Sequence, residues 1–177
     1  ALIKKGTVIT HLLQSCIAEQ GINVQDMLTG DRNALMVAVR ITGYGTDYNA
    51  EVTCPECDAR SSQGFNLGEL PLTRLEINPV EPGQNIFSFT LPVTKKEVHF
   101  KFLTGKDEEE MSLIADRKKS AIPGMQGESL VTSRLARSIV SIDGVTDKNK
   151  INLFVSRMPA QDSRKLRAFM DNNEPGI

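Results

Sequence analysis

Two cysteines separated by two residues form the most chemically specific pattern in this sequence. Cys54 and Cys57 enclose Pro55 and Glu56. Two thiolates at this spacing can bind a tetrahedral metal, because the backbone amides of the tight turn support the sulfurs. A structural zinc needs four ligands, and the sequence offers only these two at the right spacing. The pair is therefore predicted to be half of a metal site, with zinc as its cofactor.

Three interpretations of this pair stay open. It is half of a zinc ribbon completed by residues outside this chain, a turn without metal, or a redox pair. The redox interpretation is the weakest, because such a pair stands at the start of a helix, whereas residues 58–62 resemble a loop. The third cysteine, Cys16, lies in a helical pattern and is expected to be a small buried apolar residue. Three cysteines do not make a disulfide framework, so a reducing compartment fits best.

The sequence contains no catalytic constellation. Its two histidines, His11 and His99, have no sequence context typical of a nucleophile and its base. Nucleophile-elbow, P-loop and dinucleotide-binding patterns are absent. The acidic run 107–110 could bind a cation, but the start of a helix, with Thr104 and Asp107 as a capping box, explains it more simply. The prediction is a protein that is not an enzyme and has no catalytic residues.

The amino-terminal segment, residues 1–42, is predicted to be helical. Leu12 and Cys16 belong to an apolar pattern with helical spacing. Residues 31–42 contain an unbroken apolar run from residue 34 to residue 39, which favours a buried helix over a strand.

Residues 43–103 are predicted to be rich in β-structure. Residues 48–52 alternate between apolar and polar, as a half-buried strand does, and this strand leads to the cysteine pair. A short return strand is expected at residues 65–67. Residues 86–91 and 97–103 form the clearest strand pair, and their alternation places most phenylalanines on one sheet face. The residues expected on that face are Phe87, Phe89, Leu91, Val98, Phe100 and Phe102.

Residues 104–177 are predicted to be helical. One helix is expected over residues 128–142, and later helices are expected to be capped by Asp147 and Asp162. The residues that helix 128–142 is expected to bury are Val131, Leu135 and Ile139. The predicted class is α+β, a small antiparallel sheet with a zinc-ribbon-like hairpin, packed with a helical carboxyl-terminal part. The three segments are expected to form one compact domain.

Composition excludes several classes of function. The chain has 177 residues, is 40% hydrophobic and carries a net charge of −1. This balance argues against a nucleic-acid binder, which needs clustered basic residues, and against a protein adsorbed to a membrane. No apolar run approaches the roughly 20 residues that span a bilayer. Because the chain begins at Ala1 and residues 173–177 resemble an interrupted segment, the native protein is expected to continue beyond both ends.

Five stretches carry a resemblance to a known family, in consistent order along most of the chain. They are residues 30–35, 40–45, 48–57, 103–109 and 158–164. Together they resemble the baseplate hub protein family of T4-like contractile-tailed bacteriophages. The resemblance implies a protein of the virion tail baseplate, or one needed to assemble its central hub in the host cytoplasm. It also implies a second cysteine pair beyond residue 177 that would complete a four-cysteine site with Cys54 and Cys57.

The leading hypothesis is thus a structural or assembly component of a phage tail baseplate or hub that acts through protein–protein contacts. Its expected partners are other baseplate or hub proteins, with self-association left open and with neither nucleic acid nor membrane involved. The alternative is a zinc-ribbon-bearing adaptor of another assembly. An enzyme, such as a hub-associated hydrolase, is the third hypothesis.

Overall fold

The computed structural model describes residues 5–121 and 130–177, and within them the chain folds as α+β with six helices and two antiparallel sheets. The helices are α1 Lys5–Cys16, α2 Thr29–Tyr44, α3 Gly105–Ala121, α4 Leu130–Ser138, α5 Lys148–Ser156 and α6 Ala160–Asn173. The strands are β1 Asp47–Thr53, β2 Arg60–Asn66, β3 Phe87–Thr90, β4 Glu97–Phe100 and β5 Ile139–Ile142. Short 3-10 helices occur at Val24–Asp26 and Leu67–Glu69. The α+β prediction is confirmed, and the division of the chain after residues 42 and 103 stays a prediction.

The main core lies on the three-stranded sheet, whose strand order is β3-β4-β5. Phe87 pairs with Phe100 across β3 and β4, and their ring centroids are 5.8 Å apart. The ring of Phe102 lies 5.0 Å from that of Phe87, and all three side chains are buried. Phe89 is half-buried and packs on Phe169 of α6, with centroids 4.8 Å apart. The predicted hairpin and its phenylalanine face are confirmed.

Asp162 ties α6 to the turn between β3 and β4. Its fully buried carboxylate accepts hydrogen bonds from the Val93 N–H (2.7 Å), the Thr94 N–H (3.1 Å) and the Thr94 hydroxyl (2.8 Å). Burial alone raises the pKa of Asp162, but these hydrogen bonds outweigh it and lower that pKa. The prediction that Asp162 caps the last helix is therefore wrong, because Pro159 is the N-cap residue and the carboxylate binds the turn instead.

The predicted helix over residues 128–142 is wrong at its carboxyl-terminal end. There the chain forms β5, which pairs with β4 and completes the sheet. Its β-branched residues suit a strand, and an available sheet edge outweighs the helical spacing. Leu135 and Ile139 are buried as expected, but Val131 is 43% exposed. The sequence also predicts a break at Ile122, Pro123 and Gly124, which lie outside the described residues.

The first two helices form as predicted, but they bury less than predicted. Leu13 is buried, whereas Leu12 is 53% exposed and Cys16, expected inside, is exposed as well. In α2 the apolar run 34–39 is half-buried or exposed and not buried. Among the described residues, α1 packs against α2, the first 3-10 helix and α3, and α2 packs against α1, α3 and the second 3-10 helix. Each helix leaves apolar side chains exposed to solvent, and such surfaces can form contacts with other proteins.

The carboxyl-terminal residues cross the start of α2. The Thr73 N–H donates to the Gly176 carbonyl (2.8 Å), and the Gly176 N–H donates to the Thr73 carbonyl (2.9 Å). This segment passes so close to Gly30 that a Cβ there would stand 1.9 Å from the Pro175 carbonyl oxygen. The close approach requires glycine at position 30.

Candidate functional site

β1 and β2 form a two-stranded antiparallel ribbon that the rest of the described chain barely covers. Every residue of the ribbon is exposed except Ala50, which is half-buried. Tyr48, Val52 and Phe65 are 44%, 47% and 52% exposed. The prediction that β1 is half-buried is therefore wrong, because no second layer packs on it within the part of the chain that the structure describes. An isolated two-stranded ribbon is at best marginally stable in water. A partner that packed on its exposed faces would therefore stabilise this ribbon.

The two faces of the ribbon differ in chemistry. Tyr48 pairs with Phe65, and Val52 pairs with Ser61. Because successive side chains of a strand point to opposite faces, these residues share one face, which we call the apolar face. The side chains of β1 on the opposite, polar face are Asp47, Asn49, Glu51 and Thr53.

Arg40 of α2 fixes the base of the ribbon. Its guanidinium donates to the carbonyls of Gly45 (3.0 Å) and Asp47 (3.1 Å). It also lies 5.1 Å from the ring centroid of Tyr44 and 5.9 Å from that of Tyr48, as in cation–π contacts. Gly45 ends α2 with a φ of 81°, a conformation that glycine adopts without strain. The direction of β1 is therefore set by α2.

The cysteine pair lies in the turn at the tip of the ribbon. The Cys54 N–H donates to the Ala59 carbonyl (2.9 Å), and the Asp58 N–H donates to the Cys54 carbonyl (3.0 Å). Cys54 is half-buried, Cys57 is exposed, and both are free thiols. Hydrogen bonds from the backbone N–H groups of Glu56 and Cys57, and one with the Cys57 side chain, lower the pKa of the Cys54 thiol. A lowered pKa favours the thiolate, which is the form that binds metals.

A tetrahedral zinc would need two ligands besides this pair. Within residues 5–121 and 130–177, no three or more His, Cys, Asp and Glu side chains are arranged to hold a metal ion. Cys16 and His99 therefore do not complete the site within that part of the chain. Cys54 and Cys57 suit a half-site in chemistry and position, and the binding of zinc stays a prediction.

The histidines lie in separate elements. His11 is exposed on α1. His99 is in β4, with its Nε2 3.7 Å from a carboxylate oxygen of Glu97, which is longer than a hydrogen bond. The sheet register places Ser141 opposite His99. The sequence did not predict this pairing, because its apolar spacing placed residues 139–142 in a helix. Among the described residues no hydrogen bond joins His99 to Ser141, so these side chains do not form a coupled nucleophile and base.

The acidic run at the start of α3 forms internal ion pairs. Asp107 accepts hydrogen bonds from Lys101 Nζ (2.6 Å), Arg137 Nε (2.7 Å) and the Thr104 N–H (3.2 Å). The Asp107 N–H donates in return to the Thr104 hydroxyl (3.4 Å), which confirms the capping box. Burial of Asp107 alone raises its pKa, but these partners lower it to about 2. The partners of the rest of the run are Arg134 for Glu108, Gln25 for Glu109 and Arg137 for Glu110.

A family model for the T4 bacteriophage base plate protein matches residues 3–175. The match spans nearly all of the 177 residues. The chain belongs to the T4 bacteriophage base plate protein family. No curated protein and no solved structure matches it.

Membership in the T4 bacteriophage base plate protein family confirms the resemblance to T4-like baseplate proteins found in the sequence. It supports a structural role in the phage baseplate, a location in the virion tail and contacts with other phage tail proteins. Among the described helices, none is long and apolar enough to cross a membrane. The sequence predicted the cysteine pair as a candidate metal site, which stays a prediction, but it did not reveal that the ribbon carrying the pair is exposed.

Proposed function

We propose that this chain is a structural or assembly subunit of the central hub of the tail baseplate and acts through protein–protein contacts. The observation that carries the proposal is the exposed apolar face of the ribbon, in a chain that belongs to a baseplate family. Tyr48, Val52 and Phe65 keep about half of their surface in solvent, and aromatic side chains of this kind are enriched where proteins bind one another. Burying each of them in an interface would contribute roughly 1–2 kcal/mol.

We further propose that Cys54 and Cys57 provide two of the four ligands of a structural zinc. The remaining two would come from a neighbouring chain or from a part of the protein outside these 177 residues. The proposal is supported by the adjacency of the two thiols, their position in an accessible turn and the lowered pKa of Cys54. Zinc bound in this way would hold the tip of the ribbon to its partner, because structural zinc supplies much of the folding free energy of a small module.

Deletion of the gene from the phage that encodes this chain tests the hub role. Electron microscopy of the infected-cell lysate should show heads without complete tails, and the wild-type gene supplied from a plasmid should restore complete baseplates. A deletion phage that builds normal baseplates and infectious particles would refute the hub role.

Zinc analysis of the purified natural protein tests the metal proposal. We expect one zinc for each complete four-ligand site in the wild type and loss of that zinc in Cys54→Ser. Cys16→Ser is the matched control, because Cys16 is also an exposed free thiol but lies on α1. If the wild-type protein, alone and in assembled baseplates, contains no zinc, the metal proposal is wrong and the hub proposal is unaffected.

A further inference from the structure

Hydrogen bonds at the two ends of the ribbon determine which backbone groups of β1 face away from β2. The Leu67 N–H donates to the Thr46 carbonyl (2.8 Å), and the Cys54 N–H donates to the Ala59 carbonyl (2.9 Å). In an antiparallel pair, hydrogen-bonded and non-bonded positions alternate along each strand. The even-numbered residues of β1 therefore bond to β2, and the odd-numbered ones face outward. The outward-facing residues beyond the Arg40 contact at the base are Asn49, Glu51 and Thr53.

Beyond Asp47, whose carbonyl accepts from Arg40, this edge of β1 is unpaired in the part of the chain that the structure describes. Within residues 5–121 and 130–177, no strand or isolated bridge pairs with Asn49, Glu51 or Thr53 from outside the ribbon. Natural proteins guard an exposed edge with charged side chains, above all lysine, with proline or with a bulge, because its unpaired N–H and C=O groups template another strand. β1 has no proline, no lysine and no irregularity in its register. The only charged side chains of β1 are acidic, Asp47 and Glu51, so its edge opposes an acidic strand and favours a basic one.

We propose that the free edge of β1 binds one extended strand of another baseplate protein, in which apolar residues alternate with lysine or arginine. This inference rests on the proposed function and identifies the contact surface that it needs. Backbone hydrogen bonds would provide affinity, and the alternating side chains would provide specificity, as in other strand additions.

The apolar half of this pattern follows from the ribbon's apolar face. Side chains of the added strand on that face would lie beside Tyr48, Ala50 and Val52 and extend a surface already occupied by Phe65. Directly opposed side chains on neighbouring strands lie about 5 Å apart, close enough for apolar contact. β2 offers less at its own outer edge, where the polar Ser61 and Gln63 share that face with Phe65.

The basic half of the pattern follows from charge. Residues 47–66 carry four carboxylates, Asp47, Glu51, Glu56 and Asp58, against the guanidinium of Arg60, and Arg40 adds a second guanidinium at the base of the ribbon. Asp47 and Glu51 both lie on the polar face of β1, where opposite charges on an added strand would stabilise the pair. A second copy of this chain would bring the same carboxylates to the junction, so like charges oppose self-pairing through this edge. A basic strand of a different protein is the occupant that the charges favour.

Two proline variants of the full chain test the edge. Asn49→Pro removes an outward N–H of β1, and Ser62→Pro removes an outward N–H of β2, so neither breaks a hydrogen bond within the ribbon. The probe is a capped synthetic peptide, Lys-Val-Lys-Val-Lys-Val, and its affinity is measured by fluorescence anisotropy. Asn49→Pro should weaken binding about tenfold, which corresponds to the loss of one backbone hydrogen bond to the peptide. Ser62→Pro should bind the peptide as the wild type does. Equal binding by both variants would overturn the proposal.

Two further measurements test the same edge without introducing a proline, which could distort the strand locally. One is a charge variant, and the other is amide hydrogen exchange in the wild type. Glu51→Lys should weaken binding of the basic peptide and strengthen binding of Glu-Val-Glu-Val-Glu-Val. In the wild type, the basic peptide should slow exchange of the Asn49, Glu51 and Thr53 amides and leave the outward amides of β2 unchanged. Tighter binding of the acidic peptide by the wild type, or protection at β2 instead, would refute the assignment of this edge.

Complementation of the deletion phage separates this inference from the hub role. Ser62→Pro should restore baseplates, and Asn49→Pro should not. If the gene is dispensable for baseplates, the hub role fails. If the wild-type gene is required and Asn49→Pro restores baseplates fully, the hub role stands and the strand-binding edge is refuted.

Discussion

Replacing Asp107 with asparagine should lower the free energy of unfolding by about 2 kcal/mol at pH 7. The carboxylate is 3% exposed and is bound by Lys101, Arg137 and Thr104. Its pKa falls from the ordinary value of 3.8 to about 2 in the folded chain. Since each pKa unit corresponds to about 1.4 kcal/mol, the ionised form stabilises the fold by about 2 kcal/mol. The asparagine side chain has the same size, but it removes the charge and replaces one accepting oxygen with an NH2 group that only donates.

The pH dependence follows from the sign of this shift. A carboxyl whose pKa is lower in the folded state contributes fully above the unfolded pKa, near 4, and the contribution is lost as pH falls toward 2. The difference between wild type and Asp107→Asn should therefore shrink to roughly half at pH 3. Urea unfolding followed by far-UV circular dichroism at pH 7 and pH 3 measures both values.

The matched control is Asp143→Asn. Asp143 pairs with Lys96 (2.5 Å) at an exposed site, with about two-fifths of each side chain in solvent, so the same substitution should change stability far less. A loss at Asp143 as large as that at Asp107, or a loss at Asp107 that is the same at both pH values, would refute the account of the buried carboxylate.

Three further predictions concern packing. Phe100→Ala should lower the unfolding free energy by roughly 3–5 kcal/mol in urea, because its fully buried ring leaves a cavity, and a smaller loss would contradict its place in the core. Gly30→Ala should lower the melting temperature, because the added Cβ would clash with the Pro175 carbonyl oxygen. Gly43→Ala is the control: an added Cβ there has no atom within 4 Å, so the substitution should be neutral or stabilising by up to ~1 kcal/mol. Asp162→Asn should speed amide exchange in the turn between β3 and β4, and unchanged exchange there would show that the carboxylate does not hold it.

The parts of the fold that the sequence predicted correctly rest on local signals. The alternation around Phe87 and Phe100 has a period of two, which only a strand presents as one face. The capping box of Thr104 and Asp107 and the cap by Asp147, which accepts the Asn149 N–H at 2.9 Å, each join residues a few positions apart. Such signals need no knowledge of the rest of the chain.

The errors arise where tertiary contacts decide. β5 has an apolar spacing compatible with a helix, and it becomes a strand because β4 offers an edge beside it. Asp162 has the position of a helix cap, but its carboxylate binds Val93 and Thr94, which lie about 70 residues earlier in the chain. The sequence cannot show which of two satisfactory partners a polar group will take.

Exposure was the feature of the candidate site that the sequence misjudged. The alternation from Tyr48 to Val52 predicts one apolar face, and the structure has that face on a ribbon that no other described element covers. An apolar face looks the same in the sequence whether the same chain or a partner covers it. The apolar spacing around Cys16 likewise predicted a buried position that the structure leaves exposed.

Photo-crosslinking during phage assembly is the most direct test that this chain acts in the baseplate through the free edge of β1. A photoreactive amino acid is placed at Thr53, on the outward edge of β1, or at Ser62, on the outward edge of β2, and crosslinked peptides are identified by mass spectrometry. We expect Thr53 to crosslink to another baseplate protein, within a segment that alternates apolar and basic residues, and Ser62 to give far less of that product. Crosslinks from Ser62 alone, or from Thr53 only to proteins outside the tail, would contradict the account.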